Sequence, residues 1–160
     1  MNEKNQIKFI KAAEILRWTG VTLGIFLAFL LGTTPIEQFS IVTIWVLVSL
    51  HGLTALESLL FGKVASKISG YKYSRYQKQS AINNLAVAVA IIAVYLLGWG
   101  LYAKASLVFV MILFFTFSGV NHALAAIVDK NRHLKNILRP FMSFLIVGFM
   151  LFFLLSALAV

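Results

Sequence analysis

The chain has 160 residues, of which 61% are hydrophobic and 12% are charged, and its mean hydropathy is +0.91. Soluble domains are about 45–50% apolar and about 25% charged, so this composition excludes an ordinary water-soluble core and predicts several membrane spans. The formal net charge of +9 comes without a nucleic-acid-binding motif, so we expect anionic lipid headgroups of the bilayer, and no nucleic acid, as partners.

The first two spans are predicted before residue 62. Lys4, Lys8 and Lys11 recur at spacings of four and three, so a helical N-terminal segment carries them on one face and lies at the membrane interface. The first span runs from about 13 to 32 and is favoured over a signal peptide, because no small-x-small cleavage pattern follows it. The second span runs from about 37 to 61, and Gly62 is expected to end it.

Three further spans follow the polar loop that begins at Lys63. Tyrosines alternate with lysines and arginines in this loop, a pattern typical of membrane-interface anchors. The remaining spans are predicted at about 81–102, 105–128 and 140–159, with a tight turn at Lys104 and with Pro140 at the start of the last helix. Each run of about 20 residues matches a hydrocarbon layer about 30 Å thick. The sequence therefore predicts one all-α membrane domain over residues 1–160, a bundle of five transmembrane helices.

Lysine and arginine are distributed very unevenly between the ends of these spans. The N-terminal segment and the second and fourth loops hold 13 of the 14 basic residues, and the third loop holds the remaining one, Lys104. The positive-inside rule then places the N-terminus in the cytoplasm and the C-terminus outside, in an inner or plasma membrane.

Ionisable and amide side chains inside the spans are the candidate binding residues, because such groups cost free energy in hydrocarbon unless they are paired. They are His51, Glu57, Asn84, Asn121 and His122. His51 lies near mid-membrane, and Glu57 lies about 9 Å closer to the cytoplasm at the helical rise. The predicted topology places the others in the cytoplasmic half as well, which indicates a polar site that opens toward the cytoplasm.

Helical geometry constrains how these residues meet. Glu57 lies about 120° around the helix from His51, so its partner is expected on another span. Ser118 and His122 share a face next to Gly119, and a close helix contact there is expected to bring His122 to the second or third span.

Three interpretations of the polar residues remain open. Hydrogen bonds between helices, typically worth about 0.6 kcal/mol, account for the amides and hydroxyls, and Glu57 could then extend toward Lys63. Alternatively, Glu57, His51 and His122 handle charge during proton-linked binding or transport of a small solute or ion. The third interpretation is a membrane-embedded enzyme or a haem- or metal-carrying protein.

Chemical motifs favour binding or transport over the third interpretation. The chain has no cysteine, HExxH or CxxCH, and its one aspartate is Asp129, so we predict neither a cofactor nor a metal site and lean against an enzyme. Because five helices are few for a pathway, we expect a homo-oligomer. The candidate contacts are the small residues Ala86, Ala88, Ala90 and Ala93.

Three short motifs suggest a family. The order HGLTALESLLFG, SRYQKQSAINNLA and FSGVNHALA resembles a family of small bacterial integral membrane proteins of uncharacterised function, over roughly residues 45–130. The matching positions are Gln77, Asn84, Leu85, Ala86, Asn121 and His122. The resemblance implies a multi-span architecture and carries no assigned activity.

The charge distribution generates a topology prediction. Alkaline phosphatase fused to the C-terminus is expected to be active, because five crossings from a cytoplasmic N-terminus place residue 160 outside. An inactive fusion would contradict the predicted orientation.

Overall fold

Helices make up nearly the whole of the computed structural model, which describes residues 2–130 and 133–160 apart from the side chains of Lys135 and Asn136. The elements are α1 (Glu3–Leu31), α2 (Pro35–Leu47), a π-helical turn (Val48–Gly52), α3 (Leu53–Ile68), α4 (Arg75–Leu96), α5 (Gly100–Ile127) and α6 (Leu134–Leu158). In the described part of the chain, five helical stretches are long and apolar enough to cross a membrane, which confirms the predicted all-α bundle. Arg132 and the side chain of Lys135, two of the basic residues counted above, lie outside the described residues.

α2 lies in the middle of the bundle. It contacts α1, α4, α5 and α6, and its buried side chains Phe39, Val42 and Leu47 are fully enclosed. They belong to one core that includes Ile91 of α4 and Val108 of α5. One face of α2 is therefore enclosed by its neighbours, while large apolar side chains of all the helices, Trp45 of α2 among them, face outward, as expected for helices in contact with lipid.

The second span changes its helical geometry halfway along. A π-helical turn contains one residue more than an α-helical turn, so it shifts the direction of every side chain that follows. Here Leu50 and His51 are adjacent in sequence and both buried. A second irregularity occurs at Phe61, whose backbone angles of φ −133° and ψ 27° kink α3. Gly62 does not end the helix as predicted, because α3 continues beyond this kink to Ile68.

The connection between α4 and α5 lies earlier than predicted. Gly98 and Gly100 have φ angles of +64° and +81°, a conformation that favours glycine, and they form the turn. The predicted turn at Lys104 is wrong: Lys104 lies within α5, where its Nζ donates to Ser40 Oγ at 2.9 Å and lies 4.4 Å from the centre of the Tyr95 ring. The only basic residue in this region thus ties α5 to α2 and α4 within the described structure.

The last helix also begins earlier than predicted. α6 begins at Leu134, so Pro140 lies inside the helix and not in its first turn. Proline lacks the amide hydrogen that a helix interior uses, so this position forgoes one backbone hydrogen bond.

Capping residues fix the starts of two helices. Thr34 and Glu37 form a reciprocal capping box at α2, and Ser74 and Gln77 form another at α4. Gln77 Oε1 also accepts a hydrogen bond of 2.8 Å from Ser66 Oγ of α3. Gln77, a residue of the family motif, therefore joins the end of α3 to the start of α4.

The alanines of α4 differ in their surroundings. Ala88 is buried within the chain, facing Gly52 of the π-helical turn, so it is not available for contact with another copy. Ala86 is exposed. An oligomeric contact through the α4 alanines remains a prediction for the outward-facing members of the set.

Glycine packing between α1 and α2 gives a stability prediction. A Cβ atom added at Gly24 would lie 2.4 Å from Trp45 Cβ, so Gly24→Ala must push the two helices apart. Overpacking of this kind typically costs about 1–3 kcal/mol, and we expect a lower thermal unfolding midpoint in detergent or nanodiscs. Gly148→Ala is the matched control, because a Cβ atom there meets nothing within 4 Å. Equal midpoints for the two variants would contradict the close α1–α2 contact.

Candidate functional site

The polar side chains of the spans form two separate groups. The first is the mid-span pair, His51 of the π-helical turn and Asn84 of α4. The second lies at the end of the bundle that carries the basic segments, and we call it the basic-end cluster. Its members are Glu14, Arg17, Glu57, Tyr71, His122 and Arg139.

The mid-span pair lies deep in the membrane-spanning region. His51 is at the middle of the 34-residue stretch Pro35–Ile68 and is only 2% exposed. Its Nδ1 lies 2.7 Å from Asn84 Oδ1, while Asn84 Nδ2 donates to the carbonyl oxygen of Ser80 at 2.8 Å. Since the amide oxygen can only accept, Nδ1 of the ring carries the hydrogen of this bond. Asn84 thereby fixes both the tautomer of the neutral imidazole and its orientation.

The other ring nitrogen of His51 has no partner. Nε2 is buried and makes no hydrogen bond within the described part of the chain, so in the neutral ring its lone pair is unused. A buried polar atom in this state costs free energy unless a ligand or water satisfies it. This is the unsatisfied group closest to the centre of the membrane-spanning region among those that the structure describes.

A small cavity lies beside the mid-span pair. Its volume is about 40 Å³, enough for a water molecule or a comparably small group. Its lining residues are His51, Asn83, Asn84, Val87, Val110, Met111 and Phe114. The Phe114 and Phe115 rings lie 6.0 and 5.6 Å from the His51 ring. The cavity thus combines one imidazole and two amides with apolar walls.

Glu57 forms a buried ion pair with α1. Its Oε2 accepts a hydrogen bond of 2.6 Å from the Arg17 guanidinium, and the two side chains are only 11% and 15% exposed. The prediction that Glu57 pairs with a residue of another span is confirmed, and its partner is Arg17 instead of Lys63. The pair stabilises a charge that hydrocarbon alone would not tolerate.

Four further residues, Glu14 among them, complete the basic-end cluster around this ion pair. The Tyr71 hydroxyl lies 3.2 Å from His122 Nδ1, which joins the segment after α3 to α5. The half-buried guanidinium of Arg139 in α6 experiences the charges of Glu57, Glu14 and Arg17. Four segments besides α3 therefore contribute polar groups to one end of the bundle.

The five predicted site residues do not converge on one point. His51 and Asn84 are in direct contact, Glu57 pairs with Arg17, and His122 contacts Tyr71. Asn121 is exposed on the outer surface of α5. The two histidines occupy different groups.

The expectation for Gly119 is wrong. A Cβ atom added there would lie 3.2 Å from Ser143 Cβ, so the close approach is between α5 and α6. His122 therefore reaches Tyr71, in the connection after α3, and not the second or third span through Gly119. In the described structure, no three His, Asp or Glu side chains are grouped so as to hold a metal ion.

Sequence analysis missed Arg17, Tyr71 and Arg139, because it treated all three only as basic or aromatic residues at the ends of the spans. A usable signal was present for Arg17, which follows Glu14 by three residues and therefore shares its helix face. Arg139 had a weaker one, since it directly precedes the apolar run of the last span.

The buried ion pair generates a stability prediction. Glu57→Gln leaves the Arg17 charge without its partner, and breaking a buried pair typically costs about 3–5 kcal/mol. The exposed pair between Lys67 and Glu3 is the control, because Glu3→Gln is expected to cost about 0–1 kcal/mol. Unfolding midpoints measured in the same nanodiscs compare the two variants. If Glu57→Gln unfolds like the parent and like Glu3→Gln, the ion pair does not stabilise the fold.

The comparisons with known proteins concern the family alone. A model described as a family of unknown function (DUF6790) matches residues 14–159, a longer stretch than the resemblance over 45–130 suggested. No curated protein and no solved structure matches the chain. Because the match covers most of the sequence, the chain belongs to this family of unknown function, DUF6790.

Proposed function

We propose that this membrane protein binds a small solute or ion at the mid-span pair and transports it in a proton-linked manner. The observation that carries the proposal is the unpartnered Nε2 of His51, buried in a chain whose neighbouring polar groups are hydrogen-bonded. The lone pair of this atom is able to accept a hydrogen bond from a bound ligand.

The geometry of the pair defines what it can bind. Asn84 holds the hydrogen on Nδ1, so the neutral ring offers an acceptor at Nε2. A solute with one hydrogen-bond donor satisfies this atom, whereas a proton occupies the same lone pair and converts the ring to imidazolium, in which Nε2 becomes a donor. Binding of a donor and binding of a proton therefore compete for the same nitrogen, which couples the two.

The basic-end cluster supports the transport part of the proposal. Glu57 follows His51 by six residues in the same helical stretch, an axial distance of about 9 Å. Glu57 and His122 carry ionisable side chains, which contact Arg17 and Tyr71 respectively. We propose that protons pass between the mid-span pair and the end of the bundle through these groups.

One observation favours a second candidate function, that of a metal- or cofactor-carrying protein or a membrane-embedded enzyme. Histidines that bind metals commonly donate their other ring nitrogen to an oxygen, as His51 does to Asn84. The 40 Å³ cavity has room for an ion and not for a haem. A visible absorbance band of the protein purified from its membrane distinguishes a coloured cofactor from a colourless solute.

A binding assay tests the proposed site. The probes are ammonium, methylamine and urea, small solutes that donate hydrogen bonds, added to the protein in zwitterionic nanodiscs. A probe present at 100 times its dissociation constant stabilises the folded state by about 2.7 kcal/mol, which appears as a higher unfolding midpoint. We expect this shift in the parent and its loss in His51→Gln.

His133→Gln is the matched control, because His133 is exposed at the start of α6. It should keep the shift of the parent. A shift that survives in His51→Gln, or the absence of a shift with every probe, contradicts binding at the mid-span pair. A pH-sensitive dye inside proteoliposomes then tests whether movement of an active probe is accompanied by protons.

A further inference from the structure

We propose that the basic-end cluster is a binding site for a phosphate-type anion, with Arg139 as its main contact. This inference does not rest on binding at the mid-span pair. Its main contact, Arg139, has no role in the proposed transport, although Glu57 and His122 of the same cluster do.

The two guanidinium groups of the cluster have hydrogen-bond donors that are not used. Arg17 uses one terminal nitrogen for Glu57, while its Nε is buried and has no hydrogen-bond partner in the described part of the chain. Arg139 is half-buried and makes no hydrogen bond or ion pair with any described side chain. Two arginines thus converge on one region with donors still available.

An arginine held in this way loses hydration free energy. A guanidinium that is largely removed from water loses hydration, which only hydrogen bonds and an opposite charge restore. Glu57 is already committed to Arg17 at 2.6 Å. The charge of Arg139 is therefore offset only at longer range by Glu57 and Glu14, and an additional anion would stabilise it.

The groups around Arg139 have the chemistry that an oxyanion requires. Tyr71 is among the groups whose charge acts on Arg139, and its hydroxyl contacts His122 Nδ1, so this pair presents a hydroxyl or an imidazole N–H to an oxyanion near Arg139. Arginine's planar fork matches two oxygens of a phosphate group and binds them more specifically than an ammonium group does. A phosphate group accepts from several such donors at once.

The cluster lies at one end of the bundle. The exposed pair between Lys67 and Glu3 and the contact between Ser66 and Gln77 show that the start of α1, the end of α3 and the start of α4 share one end of the bundle. Arg139 lies near the start of α6, at the edge of a membrane-spanning helix. Both the headgroup of an anionic phospholipid and free phosphate can reach this level.

The experiment separates these two sources. The protein is placed in phosphatidylcholine nanodiscs, and its unfolding midpoint is followed while inorganic phosphate replaces chloride at constant ionic strength. A second arm omits phosphate and adds phosphatidylglycerol to the nanodiscs. We expect a saturable rise in at least one arm: a rise with inorganic phosphate identifies a soluble anion, and a rise with phosphatidylglycerol alone identifies a lipid headgroup.

The variants decide whether the rise belongs to Arg139. Arg139→Gln is expected to bind the effective anion about 10- to 100-fold more weakly. Arg75→Gln removes an exposed charge at the same end of the bundle and should bind like the parent. No rise in either arm, or an equal rise in both variants, overturns the proposal, since the latter indicates general screening of surface charge.

A second variant keeps the test decisive if Arg139→Gln does not fold. Tyr71→Phe removes only one hydroxyl, and we expect anion binding about 3- to 10-fold weaker with the fold intact. Native mass spectrometry of the parent and Tyr71→Phe then counts bound anions. An unchanged anion affinity in Tyr71→Phe, together with no specifically retained phosphate or phospholipid on the parent, overturns the proposal.

Discussion

The ion pair between Arg17 and Glu57 is the interaction on which the arrangement of the helices depends most. A carboxylate in hydrocarbon is unfavourable unless a protein group of opposite charge lies against it. The 2.6 Å contact provides that group and fixes α1 against α3. Once these helices are in register, the segment after α3 lies where Tyr71 meets His122, and Arg139 of α6 completes the cluster.

The π-helical turn separates this charged region from the mid-span pair. It places two adjacent residues, Leu50 and His51, toward the interior, and it shifts the direction of every side chain that follows. Asn84 and Ala88 are one turn apart on α4: the first binds His51, and the second is small enough to let α4 approach Gly52. The bundle therefore holds a neutral polar site at mid-span and a charged site near one end.

The number of spans could be predicted from the sequence because a run of about 20 apolar residues is visible in each segment by itself. Helix ends were less predictable. Gly62 was predicted to end the second span, yet α3 bends at Phe61 and continues to Ile68. The turn between α4 and α5 was predicted at Lys104 because this charged residue lies between two apolar runs. Gly98 and Gly100, however, carried the conformational signal.

The candidate site, like the fold, could be predicted only in part from the sequence. Burial cost alone pointed to Glu57 and His51 as residues that need partners, and both are buried. Which partners they find depends on contacts between distant segments, and Arg17 is 40 residues from Glu57. The sequence also could not show the π-helical turn, which makes calculations at 100° per residue fail beyond Val48.

Infrared spectroscopy in lipid bilayers tests the central claim most directly. If Glu57 is an ionised partner of Arg17, the difference between the parent and Glu57→Gln contains the stretching bands of a carboxylate. A difference that contains instead the carbonyl band of a protonated carboxyl group would show that the ion pair does not exist and would contradict the account.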